Sequence, residues 1–334
     1  MKNKTLISAA LIVFVLAVSC KKEQAEAAQN TLTIWTYDSF TSEWGPGGKI
    51  AANFKRDCGI DVRWESAGDA GSLLSRVLLE KENANADIVL GLDQNLADRA
   101  LASGLFEDYK PKTAAKILLE LDTNGDFRLI PYDYSYFAFV YDSDVLEAPP
   151  KSLEELCSQD YKDKIILMDP RTSSPGLGFL CWTVAVYNGD WQDYWRRLRP
   201  SVLTVTDGWD TGYGLFLKGE APLVLSYTTS PAYHAQEEGS VRYRAALFSE
   251  GHPMQIEYAG LLAAARNKEN AQRFLDFMLT EGFQEVIPLT NWMYPAVDGI
   301  PLPESFNMAV KPEKTLYVAP VTEKELNEWA DIQK

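Results

Sequence analysis

Histidine is scarce in this chain: 334 residues contain two, His234 and His252. A catalytic or metal site built on imidazole is therefore poorly supplied. The strings that mark common enzyme chemistries are also missing. There is no G-x-S-x-G, no G-x-x-x-x-G-K-[ST], no G-x-G-x-x-G and no H-E-x-x-H. Asp122-Thr123-Asn124-Gly125-Asp126 has the acidic spacing of a calcium loop. It lacks the sixth-position glycine, where Phe127 stands, and the closing glutamate, so a turn is expected. Cysteine is sparse too. Cys20, Cys58, Cys157 and Cys181 are spaced for neither a zinc site nor a disulfide framework. One disulfide among the last three stays open, and the sequence does not choose the pair. Positive charge is in deficit, with 32 Lys and Arg against 47 Asp and Glu and a net charge of −15. That balance argues against nucleic acid as a partner, since nucleic acid needs a basic footprint.

Long apolar runs are absent after the first residues. Lys2 and Lys4 precede the apolar stretch Leu6 to Val18, which has 13 residues. A membrane-spanning helix needs about 20. A short basic start, a short apolar run and small residues before a cut site describe a signal peptide over residues 1–19. The following Ala17-Val18-Ser19-Cys20 resembles a bacterial lipobox, with Ala17 where leucine is more usual. That resemblance implies a lipid on Cys20, anchoring the chain to a membrane outside the cytoplasm. Residues 20–30 would form the lipidated cysteine and a polar tether, KKEQAEAAQN after Cys20.

The remaining chain, 46% hydrophobic and 12% aromatic in overall composition, is long enough for two lobes. Strand-like and helical runs alternate. Thr31–Tyr37, Asp61–Glu65 and Asp87–Leu92 read as strands, separated by helical patterns over Lys49–Asp57 and Gly71–Asn83. Asn95–Ser103 reads as the next helix. This order implies a largely parallel sheet with helices on both faces, an α/β fold. Further strands are expected at Phe137–Tyr141, Ile165–Met168 and Leu223–Tyr227. Helices are expected at Gly176–Asn188, Trp191–Leu198 and Glu269–Leu279. Ile130–Tyr141 and Met254–Leu261 are candidates for strands that connect two lobes. The division is 31–133 plus about 255–298 for one lobe, and about 134–254 plus 299–334 for the other. A ligand would sit in the cleft between them.

Aromatic residues concentrate in polar segments rich in glycine and proline. Tyr37-Asp38-Ser39-Phe40 with Trp44-Gly45-Pro46-Gly47 is one. Asp207-Gly208-Trp209, Tyr227 to His234 and Asn291-Trp292-Met293-Tyr294-Pro295 are the others. Such segments fit loops at strand ends, where aromatic faces recognise flat rings and cations. Each alone reads equally well as the edge of a core; four together favour a ligand. Asp169 to Gly176 (DPRTSSPG) lies between a strand and a helix, so its hydroxyls and free N–H groups suit an anion. A plain helix cap is the other reading of that stretch. Gly68-Asp69-Ala70-Gly71-Ser72 also precedes a helix, and Asp69 either caps it or accepts from a ligand amine.

From about Thr31 onward the chain resembles the thiamine-binding proteins of bacterial ABC importers. The likeness is carried by TYDSF with WGPG, SLLSR, ADIVLGLDQNL, YFAFVYD, DPRTSSPGLG, GLFLKGE, VLSYTTSPAYH, FSEGH and NWMYP. It implies the type II periplasmic binding protein fold, two α/β lobes around a cleft that closes on its ligand. It implies a carrier for thiamine, thiamine monophosphate or thiamine pyrophosphate, working with an ABC permease and its ATPase, with no cofactor and no catalysis. It implies ligand contacts at Asp69, Ala70, Ser173, Ser174, Trp209, Tyr227, Thr228, Thr229 and Ser230. Tyr37, Trp44, Tyr233 and Trp292 would complete an aromatic enclosure. Two departures stand out: Ile60 replaces a second cysteine found near the first in some relatives, and Ala70 replaces glycine. Three alternatives remain at this level. One is a ferric-iron carrier using Tyr227 and Tyr233. Another is a thiaminase-like enzyme needing a cleft cysteine, for which Cys181 lies nearest a motif. The third is an adhesive surface protein.

Overall fold

The computed structural model describes residues 30–121, 123 and 125–334. The signal peptide, Cys20 and the tether up to residue 29 lie outside the described residues. The first unit is β1 (Thr31–Thr36), α1 (Gly47–Cys58), β2 (Asp61–Ser66), α2 (Ala70–Glu80), β3 (Ile88–Asp93) and α3 (Gln94–Ala102). β1 lies between β2 and β3, and all three are parallel. A long strand, β4 (Ile130–Asp142), follows. The second unit is β5 (Ile165–Met168), α4 (Ser174–Tyr187), α5 (Trp191–Leu198), β6 (Val202–Thr206), α6 (Trp209–Leu217) and β7 (Leu223–Tyr227). Here β5 lies between β6 and β7, again parallel. The chain closes with α7 (Ser230–Glu237), β8 (Tyr243–Ala246), β9 (His252–Leu262), α8 (Lys268–Met278) and α9 (Glu323–Gln333).

The sheet order is β2-β1-β3-β9-β4-β7-β5-β6. Two antiparallel strands therefore join two parallel triads. The first half of β4 pairs with β9, and its second half pairs with β7. Both joining strands fall where the sequence placed them, each slightly longer than expected.

Alternation along the strands divides the core. Leu32 and Ile34 of β1 pack with Phe54 and Phe274 on one face. Trp35 points to the other, with Leu73, Leu74 and Val77 of α2. A third core surrounds β5 and β7, where α5 contributes Trp191, Tyr194, Trp195 and Leu198 at helical spacing. Burying each such ring stabilises the fold by roughly 1.5–3 kcal/mol. Cys58, Cys157 and Cys181 are all free thiols, so the disulfide left open by the sequence does not form. Asp122 and Asn124 of the expected turn lie outside the described residues; the Asp126 N–H donates to the Thr123 carbonyl at 3.1 Å, Gly125 holds φ at +84°, and the Asp126 carboxylate pairs with Arg128.

Candidate ligand-binding site

Both parallel triads aim the carboxyl ends of their strands at one cavity of about 250 Å³. In open parallel sheets ligands bind at these ends, because the backbone N–H groups and helix N-termini that follow them point there. Tyr37 follows β1 and Asp69 follows β2. From the other side, Ser174 follows β5, Trp209 follows β6 and Tyr227 ends β7. The segments expected as loops are largely helix starts. Trp209 opens α6 after Gly208, and Ser230-Pro231 opens α7, where proline suits the first turn.

The walls are aromatic. Trp209 stacks on Tyr213 with ring centres 4.8 Å apart, and Trp44 meets it edge-on at 6.4 Å. Trp44 is 46% exposed and stands at the mouth. Tyr233 and Trp292 meet at 5.4 Å in an edge-to-face contact. Trp292 holds φ at +57°, and its N–H donates to the Ile287 carbonyl at 3.0 Å. This left-handed position past a helix end normally belongs to glycine. A tryptophan there costs about 1–2 kcal/mol of backbone strain, the kind found at ligand clamps. It aims Asn291, Trp292 and Met293 into the cavity. Tyr37 depends on a glycine elsewhere. A Cβ on Gly91 would sit 2.2 Å from the Tyr37 ring, so only the bare backbone of β3 lets that ring lie across it.

Asp69 joins the two sides. Its carboxylate accepts from the N–H of Ala70 at 2.7 Å and from the N–H of Trp209 at 3.1 Å. Burial raises its pKa, while the Ser173 hydroxyl and the Ala70, Trp209 and Ser174 N–H groups hold it down. One carboxylate thus takes the N–H groups that open two helices, α2 and α6, and lies against the start of α4. Beside it the Ser72 N–H donates to the Thr172 carbonyl at 3.2 Å, and a Cβ on Gly71 would clash with that carbonyl.

The floor is acidic. Glu257 of β9 stands opposite Asp133 of β4 in the antiparallel register. Tyr37 and Tyr132 donate to Glu257 Oε2 at 3.0 and 3.1 Å. Asn291 donates to Asp133 Oδ2 at 2.7 Å and to the Tyr37 hydroxyl at 3.1 Å. Burial, the Glu257 charge and the hydrogen bond to Glu257 push the Asp133 carboxyl well above the usual range. Burial raises Glu257 too, but hydrogen bonds from Asp133, Tyr37 and Tyr132 oppose the shift. Burial and the Glu257 charge thus favour the neutral form of Asp133.

Nine of the thirteen residues expected at the ligand line the cavity: Tyr37, Trp44, Asp69, Ser174, Trp209, Tyr227, Ser230, Tyr233 and Trp292. The other four lie behind this surface. Ala70 is buried as the first residue of α2 and takes no positive φ, so the loss of glycine there is harmless to the backbone. Ser173 is buried against Asp69. Thr229 bonds Ser135 at 2.9 Å, and Thr228 is wholly buried. Sequence reading missed Glu257, Gln255, Asn291 and the α6 face of Tyr213 and Leu217. A carboxylate inside the apolar run MQIEYAGLL was the available sign for Glu257.

None of the described cysteines lines the cavity. Cys181 is fully buried, and burial pushes its thiol up to about 12, far from a reactive thiolate. Among the described residues no group of three or more His, Cys, Asp or Glu is arranged to hold a metal ion.

Residues 49–312 match the family model of the bacterial extracellular solute-binding proteins. The chain is 48% identical over 312 residues to the thiamine-binding periplasmic protein of Brucella suis, covering 93% of this chain and 92% of that one. It is 47% identical over 293 residues to the thiamine-binding periplasmic protein of Escherichia coli, covering 88% and 89%. Among solved structures it superposes on a periplasmic thiamin binding protein with a TM-score of 0.86 at 44% identity, covering 91% and 96%. The chain belongs to the bacterial extracellular solute-binding protein family and, within it, groups with the thiamine-binding periplasmic proteins.

Proposed function

We propose that this chain is the extracytoplasmic receptor for thiamine and its mono- and pyrophosphate, and that it hands them to an ABC permease driven by its ATPase. The observation that carries this reading is the cavity itself. It is walled by rings and lined by three carboxylates, Asp69, Asp210 and Glu257, with no Lys, Arg or His in its lining. Thiamine offers the matching chemistry: a flat aminopyrimidine, a cationic thiazolium and a polar tail. Gln255 and Glu257 supply acceptors for the amine and the positive ring, and Ser174 at the start of α4 supplies a donor for the tail. Cation–π contacts give roughly 0.5–2 kcal/mol each. Nanomolar binding needs about 12 kcal/mol. The hydrogen-bonding groups and closure of the two sides must therefore contribute. The lobes of this receptor are 31–133 with about 255–298, and about 134–254 with 299–334.

Titration calorimetry of the purified protein with the three compounds is the test. Binding weaker than about micromolar for all of them sinks the proposal. The receptor performs no chemistry, so thiamine incubated with the protein and an amine nucleophile stays intact. Cys20 carries the lipid anchor in this reading. Cys20→Ser moves the protein from the membrane fraction to the soluble fraction, and an unchanged distribution refutes the anchor.

A further inference from the structure

His234, one of two histidines in the chain, is wholly buried on α7 and stands outside the cavity lining. Both of its ring nitrogens are held. Nδ1 lies 2.9 Å from Glu238 Oε2, and Nε2 lies 2.8 Å from the Tyr213 hydroxyl. A carboxylate only accepts, so Glu238 assigns the proton to Nδ1. Nε2 then carries a lone pair, and the Tyr213 O–H donates to it. Burial lowers the His234 pKa, which favours this neutral form. Tyr243 packs against the imidazole with ring centres 4.2 Å apart. Tyr213 carries the line to the ligand. It lines the cavity and stacks on Trp209 at 4.8 Å, with the ring planes 22° apart. The Trp209 edge of the stack is tied as well, since its ring N–H donates to Ser226 at 2.9 Å. Ser226 is wholly buried and also stands outside the lining. Two stacked rings of the wall are thus held by their polar edges from behind it.

We propose that His234 is a positioning residue for ligand binding: braced by Glu238, it fixes the Tyr213 hydroxyl behind the wall and so sets the plane that the Tyr213–Trp209 stack offers to a flat ring. The reason is geometric. Stacked rings slide and tilt unless an edge is pinned, and the strength of a stack depends on its offset and angle. A hydrogen bond weakens steeply with misalignment, so a bond at the ring edge supplies the pin. An apolar residue in place of His234 would fill the core but leave the Tyr213 hydroxyl without that acceptor. Glu238 does the same for His234, because it holds the tautomer whose Nε2 accepts. The inference rests on the thiamine reading and adds to it a residue outside the cavity that governs its affinity.

The test is calorimetry of the full chain with thiamine near pH 7. His234→Leu removes the acceptor and should weaken thiamine by about tenfold, a 1.4 kcal/mol difference. His234→Gln returns an acceptor near the Nε2 position and should bind close to wild type. In a Trp209→Ala background the stack is gone, so adding His234→Leu should change Kd by less than about twofold. A residue that only supports the fold would weaken binding by one factor in both backgrounds. That result overturns the proposal. So does an unchanged Kd in His234→Leu, or a His234→Gln as weak as His234→Leu. Should His234→Leu not fold, Tyr213→Phe cuts the same hydrogen bond from its other end and keeps the ring. It is then read with and without Trp209→Ala in the same way, and the same two outcomes, an unchanged Kd or an equal factor in both backgrounds, overturn the proposal. Wild-type protein that does not bind thiamine refutes the thiamine reading, and this inference with it.

Discussion

The walls and the floor of the cavity are built by opposite means. The walls are large neutral rings at the ends of helices and strands, each placed by one local feature: Trp209 after Gly208, Trp292 in its left-handed turn, Tyr37 on the bare backbone of Gly91. The floor is a pair of acids in the middle of two strands, placed by the pairing of β4 with β9, residues more than a hundred positions apart. Walls can change ring by ring without disturbing the sheet. A change in the floor reaches both triads, because β4 and β9 join them. Shape recognition and charge recognition thus sit on parts of the molecule with different mechanical consequences.

The sharpest way to break this contrast is at the largest wall. Trp209 donates its ring N–H to Ser226 at 2.9 Å, and Ser226 keeps a second partner in Ser230 at 2.8 Å. Removing the indole leaves no buried group without a partner, and the Trp209 N–H still reaches Asp69. Trp209→Ala should therefore fold normally and weaken thiamine and both esters alike, by about 2–3 kcal/mol, the scale of a central aromatic anchor. That is roughly a hundredfold in Kd by calorimetry. A loss confined to one ligand would mean that Trp209 does not face the shared ring system.

A buried acid beside the floor, Asp93 at the end of β3, should answer to pH where the walls do not. Burial pushes the Asp93 carboxyl from an ordinary 3.8 to about 7, despite the Asn95 and Leu96 groups that donate to it as the cap of α3. A raised acid binds more protons folded than unfolded. Its contribution is therefore complete below pH 3.8, declines as pH rises, and is lost by about pH 7. Asparagine caps helices as well as aspartate and does not ionise. Asp93→Asn should match wild type near pH 4 and be more stable near pH 8, by about 2 kcal/mol. Denaturant melts across that range check the sign; a gap that stays constant with pH would mean that the carboxyl titrates normally.

The same contrast explains how much was legible beforehand. Sequence patterns located the joining strands and most main elements, though not β6, β8, α6, α7 or α9: α5 and α8 bury one face at helical spacing, while β1 and β3 are short runs buried on both faces. The walls were legible as composition, since tryptophan and tyrosine among glycine and proline stand out locally. The floor was not. Whether Glu257 faces a cavity, a core or solvent depends on its register against β4, and an irregularity between Glu257 and Tyr258 shifts that register within the strand. Helix α6 was missed because Gly208, Gly212 and Gly214 lower its apparent propensity. Gly212 is needed where a Cβ would press on Met168 and Thr206.

The smallest expected effect tests whether a wall residue can read the ligand's tail. Ser174 is 3% exposed and lines the cavity at the start of α4. Its hydroxyl has no hydrogen-bond partner among the described residues. Ser174→Ala therefore removes no internal bond, and the melting temperature should not fall. A hydroxyl donating to a phosphate oxygen is charge-assisted and contributes about 1.5 kcal/mol more than nothing in its place. The monophosphate and pyrophosphate should weaken by about tenfold. Thiamine, whose tail ends in a neutral hydroxyl, should change little. Equal loss for all three would move the tail away from the start of α4.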